Sequence, residues 1–480
     1  MGGAQAGIFV VKFVSSVIIA RLLSPFEVGV FVIAMSICGI LGIIQSLGLT
    51  AFIVRETNLP ERLKETTFTI SLLINLAVAA AIVLCSLAGG VLYQQAGVAK
   101  VLAVLALIPL LGIVEFLPAA MIERSANFKL IAGIGLGRSL LAQGLTVVLA
   151  FRGFSSISFA YGQLAGALFG VLAYNVVGRS EIRLRLQLAD WRRVAAFGVQ
   201  MLTIGGANAI AARVAEILLA RIAGLQALGL FSRAANVNNL AWENIHAVAA
   251  RVLLVRLASL QKAGVPMRDY YLRVVEVLTA VLWPAFIGLA VVAGPFIYTV
   301  YGQRWVPAAS PLVYLALSSA VWATLTMSWE LFVVCGETRR QTRIELIRAA
   351  VGTGLFASGA VFAGLTGAAA GRLGDALFTV FIYRRPLERM SATTMSDVYP
   401  IYLRSAVLAA VAVAPVALVM LNYHGAATAP FGQVSAAVAV GIALWAATLM
   451  LTHHPLALEL RRLLPRATGT GTGTGTGTLP

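Results

Sequence analysis

Charge is scarce in this chain. Only 11% of its 480 residues are Asp, Glu, Lys or Arg, against about 25% in ordinary soluble domains. With 60% hydrophobic residues and a mean hydropathy of +0.90, that deficit excludes a water-soluble protein. Acidic residues are scarcer than basic ones, 19 against 36, for a formal net charge of +17. In a soluble domain this excess would point to nucleic acid. In a membrane protein it reflects basic side chains that resist translocation and favour anionic headgroups, so no nucleic-acid partner is expected, only membrane lipids. The three cysteines, Cys38, Cys85 and Cys335, lie in apolar segments without paired spacing, which argues against a disulfide framework or a metal cage. The four histidines, His246, His424, His453 and His454, join no Cys or carboxylate cluster at metal-ligand spacing, so neither a metal nor another cofactor is expected. Long polar loops are also lacking, which leaves no room for an external catalytic domain.

What the chain has instead is apolar runs of about 20 residues, the length that crosses a bilayer as a helix. Fourteen are expected, near 3–20, 28–49, 68–92, 101–122, 130–151, 157–178, 194–223, 229–257, 272–298, 309–335, 344–363, 366–383, 401–422 and 431–451. The fold class is therefore an all-α integral membrane protein. With the N-terminus in the cytoplasm, the inner loops and tail carry 21 Lys and Arg, and the outer loops carry only Arg21, Arg152 and Arg304. A miscounted span would destroy this asymmetry, because every later loop would change sides. Met1 to Ala20 has neither a basic start nor a small-residue cleavage site and reads as a retained span. Segment 179–193 reads as a solvated linker or short interfacial element. The Thr/Gly repeat at 468–478 has no apolar face to bury and reads as disordered.

An internal repeat is legible. Ala20-Arg21-Leu22 is followed by Gly29-Val30-Phe31, and Ala220-Arg221-Ile222 by Gly229-Leu230-Phe231 at the same spacing and an offset of 200 residues. Six spans separate the copies, an even number, so both units enter from the same side and a pseudo-two-fold axis along the membrane normal relates them. The expected organisation is a six-helix lobe over 1–190, a second over 191–390, an added helix pair over 391–455 and a cytoplasmic tail over 456–480. Two facing lobes are the architecture of an alternating-access carrier.

Charges at membrane depth are costly unless hydrated or paired, and so mark function. Lys12, Arg138, Arg213, Arg233 and Arg372 are the basic ones; Glu115, Glu216, Glu243, Glu330 and Asp375 the acidic ones. Arg213/Glu216 and Arg372/Asp375 are spaced to neutralise one another along one helix. In span eight, Arg233, Asn236, Asn239, Glu243 and His246 fall within an arc of roughly 140°, which suggests one hydrated face. Helical rise puts Lys12 and Arg138 near the midplane, Arg233 nearer the outside, and Glu115, Glu243 and Glu330 in the inner half. Cations at mid-depth suit an anionic substrate such as a diphosphate drawn below the headgroups. Lys12, Arg138, Asn208, Arg213, Arg233, Asn236 and Asn239 are thus the candidate substrate-binding residues. Glu216, Glu243, Glu330 and Asp375 are candidates for coupling to a proton or Na+ gradient. The acids could equally serve only to balance the basic groups. Trp242, Trp322 and Trp329 are either cavity wall or packing residues.

Five motifs carry a family resemblance. A-R-L-L-S-P-F-E-V-G-V-F at 20–31, S-L-G-L at 46–49, E-R-S-A-N-F-K at 123–129, L-G-L-F-S-R-A at 228–234 and Y-G-Q-R-W-V-P-A-A-S-P-L at 301–312 resemble the polysaccharide-repeat-unit flippases of the multidrug/oligosaccharidyl-lipid/polysaccharide exporter superfamily. The resemblance covers about 20–385 and has Glu216 where the family typically has Asp. It implies a bacterial inner-membrane carrier with both termini cytoplasmic. Its substrate would be an undecaprenyl-diphosphate-linked oligosaccharide, turned from the cytoplasmic to the periplasmic leaflet for exopolysaccharide, capsule or O-antigen assembly, alongside polysaccharide polymerase and chain-length machinery. The alternatives are a peptidoglycan-precursor flippase, a cation-coupled drug exporter, or a membrane-embedded polymerase. A drug exporter would be expected to carry a carboxylate in the first two spans, and an enzyme a large outer loop or a metal motif; neither is present.

Overall fold

The computed structural model describes residues 2–45, 48–92, 95–178, 185–262, 267–452 and 454–456. Among them the regular structure is entirely helical. In chain order the α-helices are α1 (Gly2–Leu22), α2 (Pro25–Gln45), α3 (Leu49–Arg55), α4 (Glu61–Leu92), α5 (Ala96–Leu105), α6 (Leu107–Arg124), α7 (Phe128–Phe151) and α8 (Ile157–Val177). They continue as α9 (Trp191–Lys262), α10 (Arg268–Val291), α11 (Ala293–Tyr301), α12 (Ala309–Trp322), α13 (Ser328–Val334), α14 (Thr338–Ser391), α15 (Met395–Asn422) and α16 (Phe431–Leu451).

Eleven described segments are long and apolar enough to cross a membrane, so this is a multi-pass membrane protein. Two helices are continuous only in name. α9 is broken at Gly224, whose φ of 88° suits glycine, and α14 at Ala363 and Gly364. Those breaks fall where the sequence places the turns between the seventh and eighth and the eleventh and twelfth runs.

Local chemistry fixes the helix starts. The Ser24-Pro25-Phe26-Glu27 motif is a capping box: Ser24 donates N–H and Oγ–H to Glu27 at 2.7 and 2.8 Å, and Glu27 N–H donates to Ser24 Oγ at 3.3 Å. Thr394 and Asp397 do the same for α15, and Asp397 also accepts from Arg268 at 2.6 Å. The segment before α9 is clipped to α4 by Gln187 N–H, which donates to Thr69 Oγ1 at 3.0 Å, and the first turn of α9 to the loop before α4 by Arg193, paired to Glu56 at 2.8 Å. Residues 179–184 of the expected linker, the 468–478 repeat and the side chain of His246 lie outside the described set.

In a bilayer, helices associate by close packing of small residues. α2 lies on α9 through Gly29 and Gly229, each against the other's backbone. The largest core follows this crossing and joins residues from both halves of the chain, among them Ile19, Val30, Leu102, Leu219, Phe231, Ile297 and Trp305. A second core centres on α10, α12 and α14, with Phe286 and Phe332 at 0% exposure. α15 and α16 dock on α10: Ser405 and Thr279 share a hydroxyl bond of 2.8 Å, and Trp445 Nε1–H donates to Ala280 O at 2.9 Å.

Candidate functional site

The most developed polar cluster among the described residues lies between α9 and the two limbs of α14. The break at 363–364 folds the second limb back on the first and brings Asp375 against Arg348 and Gly352. Arg348 donates to Glu345 through Nε at 3.0 Å and Nη2 at 2.8 Å, to Asn208 Oδ1 at 2.7 Å and to Asp375 Oδ2 at 3.4 Å. The Asn208 amide closes the ring by donating to Glu345 Oε2 at 2.6 Å, and the Tyr383 hydroxyl donates to Glu345 Oε1. The guanidinium also lies 5.2 Å from the Trp322 ring centroid, a cation–π contact. A cavity of about 160 Å³ opens beside these groups, walled by Asn208, Arg348, Gly352, Thr353, Arg372 and Asp375 with three alanines. Gly352 is required here, because a Cβ would sit 2.5 Å from Asp375 Oδ1.

Sequence spacing pairs Arg372 with Asp375. The structure differs: Asp375 has its ion pair with Arg348 on the facing limb, and Arg372 lies 4.9 Å from the Phe356 ring centroid. Antiparallel folding of α14 offers Asp375 a nearer cation than the one a turn away. Apolar length does not single out Glu345, Arg348 and Tyr383, because 345 and 348 fall at the start of the eleventh run and 383 at the end of the twelfth. The helix starts at Thr338, and the Glu-x-x-Arg spacing was the available signal.

On α9, Arg213 donates to Glu216 at 2.9 Å as its spacing implies. The carboxylate also accepts from Ser36 Oγ of α2 at 2.6 Å. Gly39 of α2 leaves space for Arg213, whose Nε would lie 2.7 Å from a Cβ there.

Arg233 departs from the hydrated stripe expected of span eight. It is 5% exposed and donates through Nη1 to Ser16 O at 3.3 Å and to Ser16 Oγ. It lies 5.0 Å from the Tyr301 ring centroid and 4.8 Å from that of Trp305. Trp305 Nε1–H donates to Ala20 O at 2.7 Å, and Arg21 donates to Thr299 O at 2.8 Å. The end of α1 is thereby tied to α9, α11 and the segment after it. Asn236, Asn239 and Glu243 are exposed on one side of α9. At 100° per residue Arg233 sits at the edge of that arc, and α1 covers that edge. The adjacent Asn238 is buried, donating to Ser319 Oγ at 2.9 Å.

The remaining expected residues are dispersed. Arg138 of α7 pairs with Glu115 of α6 at 2.8 Å, against Gly170 of α8, where a Cβ would meet both side chains at 3.2 Å. Lys12 is exposed and Glu330 half-buried in the first turn of α13; neither forms an ion pair among the described residues. Trp242 packs 5.8 Å from Phe286, centroid to centroid, and Trp329 is exposed. Among the described residues no group of three or more His, Cys, Asp or Glu could hold a metal ion.

Residues 18–310 match the family described as "Polysaccharide biosynthesis protein". The chain belongs to that family of polysaccharide biosynthesis proteins. It is 24% identical over 358 residues, 75% of this chain and 72% of the relative, to the succinoglycan biosynthesis transport protein ExoT of Rhizobium meliloti. It is 23% identical over 297 residues, 61% of this chain and 60% of the relative, to the lipopolysaccharide biosynthesis protein WzxC of Escherichia coli. Its fold is similar to that of the lipid II flippase MurJ in an inward closed conformation, with a TM-score of 0.75 at 12% identity over 97% of this chain and 99% of that one. An inward-facing multidrug transporter of the superfamily gives 0.59 at 14% identity over 81% and 96%.

Proposed function

We propose that the chain is an alternating-access flippase that carries undecaprenyl-diphosphate-linked oligosaccharide units from the cytoplasmic to the periplasmic leaflet of a bacterial inner membrane. In this reading, fourteen crossings form two six-helix lobes and an added pair, with both termini cytoplasmic. The polymer served is exopolysaccharide, capsule or O-antigen, made with a separate polymerase and chain-length machinery.

The observation that carries the reading is the charged, amide-lined cavity at Asn208, Arg348, Arg372 and Asp375, inside helices otherwise apolar enough to cross a membrane. Sugar hydroxyls and a diphosphate cannot enter hydrocarbon without replacing their water, so a carrier needs hydrogen-bonding groups at depth while the polyprenyl tail stays in lipid. Guanidiniums are suited to phosphate because they donate in a planar fork. Arg138, Arg213, Asn236 and Asn239 stand outside the walls of this cavity as further polar groups offered to the substrate along its path, and the transport work comes from a proton or Na+ gradient through the acidic groups. The names of ExoT and WzxC, which place those proteins in succinoglycan transport and lipopolysaccharide biosynthesis, support the substrate class.

The test is genetic. Disruption in the native host is expected to abolish surface polymer and to accumulate undecaprenyl-diphosphate oligosaccharide on the inner leaflet. The intact chain restores export; Arg213→Ala, inserted at matched level, does not. Normal polymer after disruption with arrested cell-wall synthesis would instead identify a peptidoglycan-precursor flippase.

A further inference from the structure

A second cavity, of about 260 Å³, lies away from the Asp375 cluster, where the closing limb of α14 meets α10 and α15. Its wall on α14 is a single helix face: Leu377, Val380, Phe381, Arg384, Leu387 and Glu388 recur at helical spacing. That face changes character along its length. Leu377 and Phe381 are 56% and 79% exposed, which in a spanning helix means contact with acyl chains. Arg384 lies about 30 Å along the helix from the break at Gly364, at 1.5 Å per residue. A bilayer's hydrocarbon core is about that thick, so Arg384 stands at the membrane boundary.

The charges at this boundary favour an anion. Arg384 is half-exposed and donates through Nε to Glu388 Oε1 at 3.0 Å; among the described residues its two terminal nitrogens donate to nothing. Arg385 and Arg389 follow on the exposed side of the same helix end. On α15, Asp397 is already paired with Arg268 of α10 at 2.6 Å. Thr393, just past the end of α14, brings a hydroxyl to the polar end, bonded to that of Ser391 at 2.6 Å. Tyr402 of α15 closes the opposite wall by donating its hydroxyl to Thr324 O at 3.3 Å.

We propose that this cavity binds one anionic phospholipid from the leaflet at that end of α14. An acyl chain lies against Leu325, Leu377, Val380, Phe381 and Val398, and the phosphate meets the free fork of Arg384. An amphiphile is what the two ends require together. The apolar wall offers nothing to a soluble phosphate, and an uncharged lipid gains nothing from the guanidinium. The volume falls below the about 300–1,000 Å³ of small-molecule pockets, so the cavity holds part of one chain and leaves the headgroup at the surface. Glu388 opposes the phosphate, because it neutralises the same guanidinium. A lipid so placed bridges α10 and α15 to the limb that carries Asp375. The inference needs the chain to span a membrane and is independent of what it transports.

The experiment uses the full chain in a neutral detergent. Retained lipid is counted by native mass spectrometry, and melting temperature is followed as lipid is added. Phosphatidylglycerol is expected to be retained and to raise the melting temperature, with phosphatidylcholine of the same chains binding about tenfold more weakly. Arg384→Gln should weaken phosphatidylglycerol to the level of phosphatidylcholine, and Glu388→Gln should strengthen it. Val380→Trp, which fills the cavity without altering charge, should weaken both lipids. Arg389→Gln, at the same helix end but outside the cavity walls, should change neither. Equal affinity for the two lipids, or no loss in Arg384→Gln, would overturn the proposal. An equal loss in Arg389→Gln would also overturn it, by showing diffuse attraction to a basic surface. A melting shift from glycerol phosphate alone would assign the site to a soluble anion. Displacement of phosphatidylglycerol by equimolar undecaprenyl diphosphate would assign it to a polyprenyl carrier, and either result ends the case for a phospholipid site.

Discussion

Gly29 of α2 and Gly229 of α9, 200 residues apart in sequence, pack against each other reciprocally. A Cβ on Gly29 would strike the carbonyl oxygen of Leu225, and a Cβ on Gly229 that of Pro25. Each obstructing residue lies four positions before the opposite glycine, so the contact maps onto itself under the repeat. Such a self-complementary contact is what two-fold symmetry produces, and here it stands between the two copies of the repeat themselves.

Alanine at either position is therefore expected to force α2 and α9 apart at a cost of about 1–3 kcal/mol. Once one substitution has separated the helices, the second should cost much less than the first. Thermal unfolding in detergent checks this, with Gly133→Ala as a control, because nothing lies within 4 Å of a Cβ at Gly133.

Arg233 sets transport against stability. Its guanidinium is buried with no carboxylate in its ion-pair range among the described residues, and its Nε has no partner. Burial of a charge without a counter-ion is costly, and apolar replacements of buried ions are often neutral or stabilising. Arg233→Met is expected to keep or raise the melting temperature while export falls. A large drop in melting temperature, or export unchanged at equal protein level, would show that Arg233, which ties α1 to α9 through Ser16, serves stability and not transport.

Two neighbouring glycines separate the cluster from general packing. Gly352→Ala puts a Cβ 2.5 Å from Asp375 Oδ1, whereas Gly354→Ala meets nothing within 4 Å. Export is expected to fall at least tenfold with the first, equivalent to about 1.4 kcal/mol, and to be unaffected by the second. Equal effects would show that the Arg348–Asp375 contact does not matter to transport.

Much of this arrangement was legible because apolar length and loop charge are local properties. The breaks at Gly224 and Gly364 fall where the runs were divided, and the 29/229 repeat became a physical contact. The site was less legible. Arg213 with Glu216 followed from spacing on one helix, but the Asp375–Arg348 pair depends on how α14 doubles back. Arg233 lay at the rim of a polar arc, where the angular pattern alone cannot say whether water or a neighbouring helix covers it. Glu345 lay at the uncertain end of a run.

Orientation rests on loop charge and is directly testable. In a background without native cysteines, Gln303→Cys is expected to react with a membrane-impermeant maleimide from the periplasm. Thr338→Cys should react only after the membrane is permeabilised. The reverse pattern would invert the direction of transport.

The most direct measurement is turnover by the purified chain in liposomes of a fluorescent undecaprenyl-diphosphate oligosaccharide, followed by accessibility of the label to an impermeant quencher. Label should cross faster than in empty vesicles, respond to an imposed proton gradient, and slow to background in Arg213→Ala and Gly352→Ala. Crossing no faster than in empty vesicles, with correctly inserted protein and the gradient applied in either direction, would contradict the assignment of this cavity to a lipid-linked diphosphate.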